Sequence, residues 1–390
     1  MRGGSKLWLE IGKKAGRLRG DARKLEAVMA GLILALLLGG YEIRGQLLPG
    51  ARAEVALHGS ITPFHTSTVS DSEGRFRFKN IAAGMYTVIV FVPGRGENRV
   101  TIDVGPSVAD AKNRVMVAIK LDEAKMTPDR SSVVTVKQLS VPDKARREYN
   151  MAERRLAERD ASGATAALLR AVAIAPQFTS AWNFLGTIAY QTRQYPDAEK
   201  YFRKALETDA TAFEPIVNLG GVLLTVNRPD EAYDYNLRAV LQKPHDALAN
   251  AQMGLNYFML GKTDLAEKYL LEARKLDPGH FSHPQLTLAE IYLRRGDARR
   301  AADQLEDFVR HHPDWPGAER IREEITRLRK AAPRPPDKGE RKSSFSPERS
   351  ARNADAGQVP RRRSDGVHPA RGHTRLTTWD HARGNGARKA

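Results

Sequence analysis

The pattern of apolar and polar positions divides the chain into blocks of different texture. Residues 27–40 (AVMAGLILALLLGG) form one unbroken apolar run. After it come short segments in which apolar and polar residues alternate, predicting strands near residues 42–47, 53–58, 65–70, 75–79, 85–92, 100–104 and 115–121. In one of them Phe76 and Phe78 share a face while Arg75, Arg77 and Lys79 take the other. Turn clusters such as Asp71-Ser72-Glu73-Gly74 separate the runs, and the spacing predicts an antiparallel sandwich over residues 41–122. From residue 145 the period becomes helical. Trp182, Leu185, Gly186, Ala189 and Tyr190 recur at three- and four-residue steps, as do Ala198, Phe202 and Ala205.

The helical tract repeats itself. Ala164, Ala198, Ala232, Ala266 and Ala301 lie 34 or 35 residues apart, and Ala152, Gly186, Gly220, Gly254 and Ala289 keep the same period. Pro176, Pro244, Pro278 and Pro313 fall in a common slot that Ala210 fills in the remaining copy. A fixed period of this size predicts stacked helix pairs rather than one closed core. Small residues let the paired helices approach, and the proline ends the second helix because it cannot donate to the ladder. The best copy reads Trp182, Leu185, Gly186, then Ala198, Phe202 and Ala205. On these residues the tract resembles the tetratricopeptide repeat family. It departs locally: tyrosine falls one place late at Tyr190, Asn236 stands where an aromatic or leucine is usual, and one residue is inserted near Phe281. Five repeats are expected over 145–315, followed by a polar-backed capping helix over 316–332.

The alternating block has its own likeness. Ile43-Arg44-Gly45 with Pro49-Gly50-Ala51, then Ser70-Asp71, Gly74-Arg75-Phe76 and Phe78, then Ile81, Gly84 and Tyr86 resemble the carboxypeptidase regulatory-like (transthyretin-like) domain. That resemblance implies a noncatalytic immunoglobulin-like or transthyretin-like sandwich. The expected fold is therefore multidomain: a small all-β sandwich, a polar linker over 123–144, and an all-α tetratricopeptide superhelix.

The chain carries a formal net charge of +17, but unevenly. Residues 1–26 hold eight Lys/Arg against three Asp/Glu, and residues 333–390 hold fourteen against six, which leaves +4 for everything between. A basic leader before a fourteen-residue apolar run predicts a signal peptide or membrane anchor over 1–40, and hence export to a cell envelope, either periplasmic or tethered by 27–40. Residues 333–390 are almost without aliphatics and are expected to be a disordered basic tail. Their Arg361-Arg362-Arg363 and Trp379 could meet nucleic acid, a reading that requires a cytoplasmic adaptor and is disfavoured by export.

Catalytic chemistry finds little support. The chain has no cysteine. His280 and His283 have ligand-like spacing without a third partner and read as a solvated inter-repeat turn; His311-His312 reads as helix C-terminal chemistry. Gly94 and Gly96 suit a hairpin better than a phosphate loop, and the helix carboxylates lie beside Lys and Arg. No enzyme, cofactor or metal is expected. The remaining candidate is the repeat groove, and the tetratricopeptide resemblance implies that the first helix of each pair lines it. The groove residues would be Asn183, Thr187 and Tyr190, then Asn218, Gly221 and Leu224, then Gln252, Leu255 and Phe258, then Glu290 and Leu293. This mixture of amides and apolar groups suits a protein or peptide partner. Leu248 and Gln252 replace the basic residues that a carboxylate clamp of the family uses. The alternative is an envelope glycan-binding or attachment role for the sandwich, with the repeats as spacer. The sequence leaves the oligomeric state open.

Overall fold

The computed structural model describes residues 40–121 and 141–331. The leader, most of the linker and the basic tail lie outside the described residues.

Among the described residues seven strands follow the alternation: β1 (Tyr41–Leu48), β2 (Glu54–Gly59), β3 (His65–Val69), β4 (Arg75–Ile81), β5 (Gly84–Val92), β6 (Gly96–Val104) and β7 (Arg114–Lys120). They form two sheets, of order β4-β1-β7 and β3-β2-β5-β6. One expectation is corrected: the sandwich is not purely antiparallel, because β7 pairs parallel to β1 from Glu42↔Arg114 to Leu48↔Lys120. The chain leaves β6 in one sheet and crosses to the other before β7 begins, so it returns in the direction of β1. Alternate residues close the core between the sheets, among them Ile43, Leu47, Val55, Leu57, Phe76, Phe78, Val88 and Ile119. Glycines 94 and 96 turn the β5–β6 hairpin with positive φ, as their spacing suggested.

Among the described residues eleven helices follow: α1 (Asp143–Ala157), α2 (Ala161–Ile174), α3 (Thr179–Gln191), α4 (Tyr195–Thr208), α5 (Phe213–Thr225), α6 (Pro229–Gln242), α7 (Ala247–Met259), α8 (Thr263–Leu276), α9 (Pro284–Arg294), α10 (Ala298–His311) and α11 (Ala318–Ala331). The first ten pair antiparallel. Asp160, Asp246 and Asp297 cap α2, α7 and α10 by accepting the amide N–H three residues on. Inside each pair the chain turns through one left-handed residue, at Arg159, Arg193, Asn227, Gly261 and Gly296. These keep the repeat period, and glycine fills the slot in two of the five. The α11 helix turns Leu328, Ile321 and Ile325 onto the last pair and its charged residues outward.

The alanine and glycine periodicity is a packing periodicity. Ala164, Ala198, Ala232, Ala266 and Ala301 are fully buried. A Cβ at Gly186 would lie 2.5 Å from the Phe202 ring, so glycine there sets how closely α3 meets α4. Phe202 is itself 1% exposed. Its replacement by alanine should lower unfolding free energy by roughly 3–5 kcal/mol. Urea titration followed by far-UV dichroism checks this; a loss below about 1 kcal/mol would mean that the helix pair is not closed by this ring.

Candidate functional site

The sandwich and the repeats belong to one compact unit, and the sandwich faces the repeats with its four-stranded sheet. Edge strands present unpaired backbone groups that must be covered or solvated. Here β6 lies along the inter-repeat turns. The Thr101 backbone N–H donates to Asp277 Oδ2 at 3.0 Å, and Asp103 Oδ2 meets His312 Nδ1 at 3.1 Å. Arg99 pairs with Glu214 at 3.2 Å, and Glu214 also meets Lys243 Nζ at 3.6 Å. Past the strand, Ser107 gives its N–H and hydroxyl to the Asp314 carboxylate at 3.1 and 2.6 Å. At the other end of the array Gln191 Nε2 donates to the Gly59 carbonyl at 2.8 Å.

Lys243, Asp277 and His312 occupy one slot in three consecutive repeats, the residue before the repeat proline. Alternate residues of β6 (Arg99, Thr101 and Asp103) therefore address successive repeats. Two glycines permit the approach: a Cβ at Gly105 would strike Asp314 Oδ2, and one at Gly279 would press on the Thr101 carbonyl at 3.3 Å.

Electrostatics follow from burial. Asp277 is 5% exposed, and burial pushes its carboxyl up from 3.8 to about 6 against the hydrogen bonds from Thr101 and Gly279. Burial likewise holds His280 and His283 neutral, each depressed to about 3. This corrects the expectation of a solvated turn. His283 packs edge-on against Phe308, His312 and Trp315, with centroids 4.7–5.2 Å apart, while His280 is sealed at the sandwich boundary. Among the described residues no group of three His, Cys, Asp or Glu is placed to hold a metal ion. His312 is more than a helix-terminal residue, since it joins the two domains.

Between sandwich and repeats remains a chamber of about 1010 Å³. Of the groove residues read from the sequence, Asn183, Thr187, Tyr190, Asn218, Gly221 and Gln252 line it. Asn218 Nδ2 donates to Asn183 Oδ1 at 3.0 Å, so amides of adjacent repeats touch, while Gln252 Oε1 has no partner. Tyr190 hydroxyl meets Thr225 Oγ1 at 3.1 Å. The others lie elsewhere. Leu224 is packed in the array at 5% exposure, so it faces no groove. Leu255 is on the surface; Phe258 lies under the Arg294 guanidinium at 4.5 Å, and Arg294 is paired with Glu290 at 2.5 Å, with half-buried Leu293 nearby in the chain. The opposite wall carries Ser60, Thr87, Phe91, Glu97 and Arg99. Glu97, Asp209, Glu214, Asp246 and Asp277 line the chamber with two permanent cations, Arg99 and Lys243, so its charge is negative. No sequence signal singled out the sandwich wall, because the pairing residues are polar groups indistinguishable from surface ones until the domains meet. The period-matched slot before the proline was the one available hint. The sandwich aromatics Phe64, Phe76, Phe78 and Tyr86 are buried in its core, and Phe91 faces the chamber.

Residues 149–215 and 285–314 match tetratricopeptide repeat models. The helical array is built of these repeats. The human and mouse cell division cycle protein 16 homologs are 29% and 28% identical over 109 residues, covering 26% of this chain and 18% of theirs. The chain thus spans under a fifth of the length of those curated relatives. Among solved structures, MamA (residues 41 to the end) from Desulfovibrio magneticus RS-1 aligns with 45% of this chain and 98% of its own at 21% identity and a TM-score of 0.40. PilW, described as a widely conserved type IV pilus biogenesis factor, aligns with 48% of this chain and 87% of its own at 21% identity and a TM-score of 0.44.

Asp277 makes a testable pH dependence. Its pKa in the folded state is raised, so its contribution to stability is complete below pH 3.8 and is lost as pH rises through about 6. Asp277→Asn keeps an acceptor for the Thr101 N–H and removes the buried charge. Stability of the wild type relative to this variant should fall as pH rises across that window, measured by thermal unfolding from pH 4 to pH 8. A constant difference would show that Asp277 titrates as an exposed carboxylate.

Proposed function

We propose that this chain is a noncatalytic, exported scaffold that holds a peptide segment of a protein partner between its tetratricopeptide repeats and its own sandwich. The observation that carries the reading is the row of side-chain amides, Asn183, Asn218 and Gln252, from successive repeats along one wall of the chamber. Each amide both donates and accepts, which matches the alternating N–H and C=O groups of an extended backbone. Such a grip is tolerant of sequence. The negative lining favours a peptide carrying a basic side chain, and Phe91 and Tyr190 supply apolar surface. A volume near 1010 Å³ is at the upper end of the ~300–1,000 Å³ typical of ligand pockets.

The sandwich resembles the carboxypeptidase regulatory-like domain in its turn residues, and in this reading it serves as a fixed wall. Export rests on the basic leader and the apolar run at 27–40. Protease accessibility in intact cells against spheroplasts, with sequencing of the N-terminus, tests it: digestion only after the outer barrier opens supports export, and full protection in spheroplasts contradicts it.

A photoreactive residue at Thr187 should crosslink the partner. The Asn218→Ala/Gln252→Ala variant should weaken binding of that partner by roughly 10- to 100-fold, from about 0.5–1.5 kcal/mol per hydrogen bond, with a melting temperature lowered only by the loss of the Asn218–Asn183 bond. If the folded double variant binds with unchanged affinity, the chamber is not the binding site. A partner lost instead from a Leu255→Ala/Phe258→Ala variant would move the site to the open part of the array.

A further inference from the structure

The four-stranded sheet is covered by the repeats, so the outer face of the three-stranded sheet is the side of the sandwich turned away from them. Alternation puts Arg75, Arg77 and Lys79 of β4, Arg44 of β1, and Arg114 and Lys120 of β7 on this outer face. Arg44 stands directly opposite Arg77 across the β1–β4 ladder. Like charges in that position are destabilising. The sequence relieves the pair with a single carboxylate, Glu42, which meets Arg44 at 3.2 Å and Arg77 at 3.6 Å. Arg75 and Arg114 are neutralised within their own turns by Asp71, Glu73 and Asp110. Lys79 and Lys120 are exposed and make no ion pair among the described residues. On the other side of Arg44 from Arg77 sits Met116, an apolar side chain 69% exposed in the middle of this cationic field.

The position of the chain's entry adds a second observation. The apolar run 27–40 ends immediately before β1 begins at Tyr41, with no spacer. Gly40 already lies against the sandwich, where a Cβ would be 2.7 Å from the Asn80 Cα at the end of β4. A membrane segment ending at Gly40 brings this end of the three-stranded sheet, where the Asn80 carbonyl also accepts from Arg159 of the repeats, close to the bilayer surface.

We propose that the outer face of β4-β1-β7 is a docking surface for an anionic lipid bilayer. It rests on the reading of residues 27–40 as a membrane-inserting segment, and adds to it a charge-selective contact made by the folded domain. Arg44, Arg77, Lys79 and Lys120 meet lipid phosphates, and Met116 enters the interfacial layer. The contact fixes the sandwich on the membrane and points the chamber and the repeats away from it. Such attraction is worth about a five-fold gain in partitioning per cation near an anionic surface and fades with salt.

The full-length chain is mixed with vesicles of pure phosphatidylcholine and with vesicles of equimolar phosphatidylcholine and phosphatidylglycerol, and partitioning is measured by co-sedimentation. Neutral vesicles report insertion of the apolar run; of the additional binding to anionic vesicles, the part removed by substitutions on the sheet reports the sheet face and the rest reports the basic leader and tail. Arg77→Gln/Lys79→Gln/Lys120→Gln, three exposed side chains outside the core, should lower the additional anionic binding by about five-fold for each cation removed, down to the level that the basic leader and tail sustain, and leave neutral-vesicle binding unchanged. Ile33→Asp/Leu37→Asp should do the reverse. If the triple variant keeps the full anionic increment, the proposal fails. If neutral vesicles bind nothing while the triple variant still lowers the anionic increment, the anchor reading fails and the docking face stands. Loss of duplex DNA binding in the triple variant, with vesicle binding intact, would overturn the proposal by assigning the face to nucleic acid.

Discussion

A carboxylate removed from water to receive the backbone N–H of an edge strand joins the two halves of this molecule. Burying Asp277 is unfavourable unless its partner is fixed, and the Thr101 N–H is fixed because β6 is held by β5 along its other edge. The bond also protects an edge that would otherwise offer itself to a second strand. The chamber follows from this contact. The repeats supply one wall, the sheet supplies the other, and the gap between them is set by where β6 is seated.

The seating changes the meaning of the concave face. A row of amides on an open superhelix is a general adhesive surface; here the same row faces a second wall across a chamber of about 1010 Å³. Asn183, Asn218 and Gln252 lie under the sandwich, whereas Leu255 and Phe258 lie beyond the chamber. In the proposed reading a partner meets both walls, which favours an extended segment over a helix laid in an open groove.

Repeat period, helix pairing and strand alternation were legible in the sequence because each is a local pattern with its own period. Five alanine slots at 34 or 35 residues became five buried contacts, and Phe76 and Phe78 became core. The parallel β7 was not legible, since alternation specifies which face a residue takes and not the direction in which a strand enters. Neither was the buried state of His280 and His312, nor the half-buried packing of His283. Histidine is tolerated in turns and cores alike; His312 meets Asp103 of a sandwich some two hundred residues earlier in the chain, and His283 packs against Phe308, His312 and Trp315 of the last repeat. Leu224 shows the converse. Its place in the period marked it for the groove, yet Leu219, Val222 and Leu223 around it are all buried, and so is Leu224.

The match between β6 and the repeat slots has a consequence for how such a chain can change over generations. Solenoids ordinarily lengthen or shorten by whole units at small cost, because each unit contacts only its neighbours. Here Thr101 and Asp103 address Asp277 and His312, one repeat per two strand residues. Deleting one of the later repeats would remove a receptor for a strand residue or place the wrong side chain beneath it. Adding one would carry Asp314 beyond the reach of Ser107. The sandwich acts as a gauge on the array, and a family of such chains should conserve repeat number between the two ends of β6 more strictly than it conserves the residues inside any one repeat.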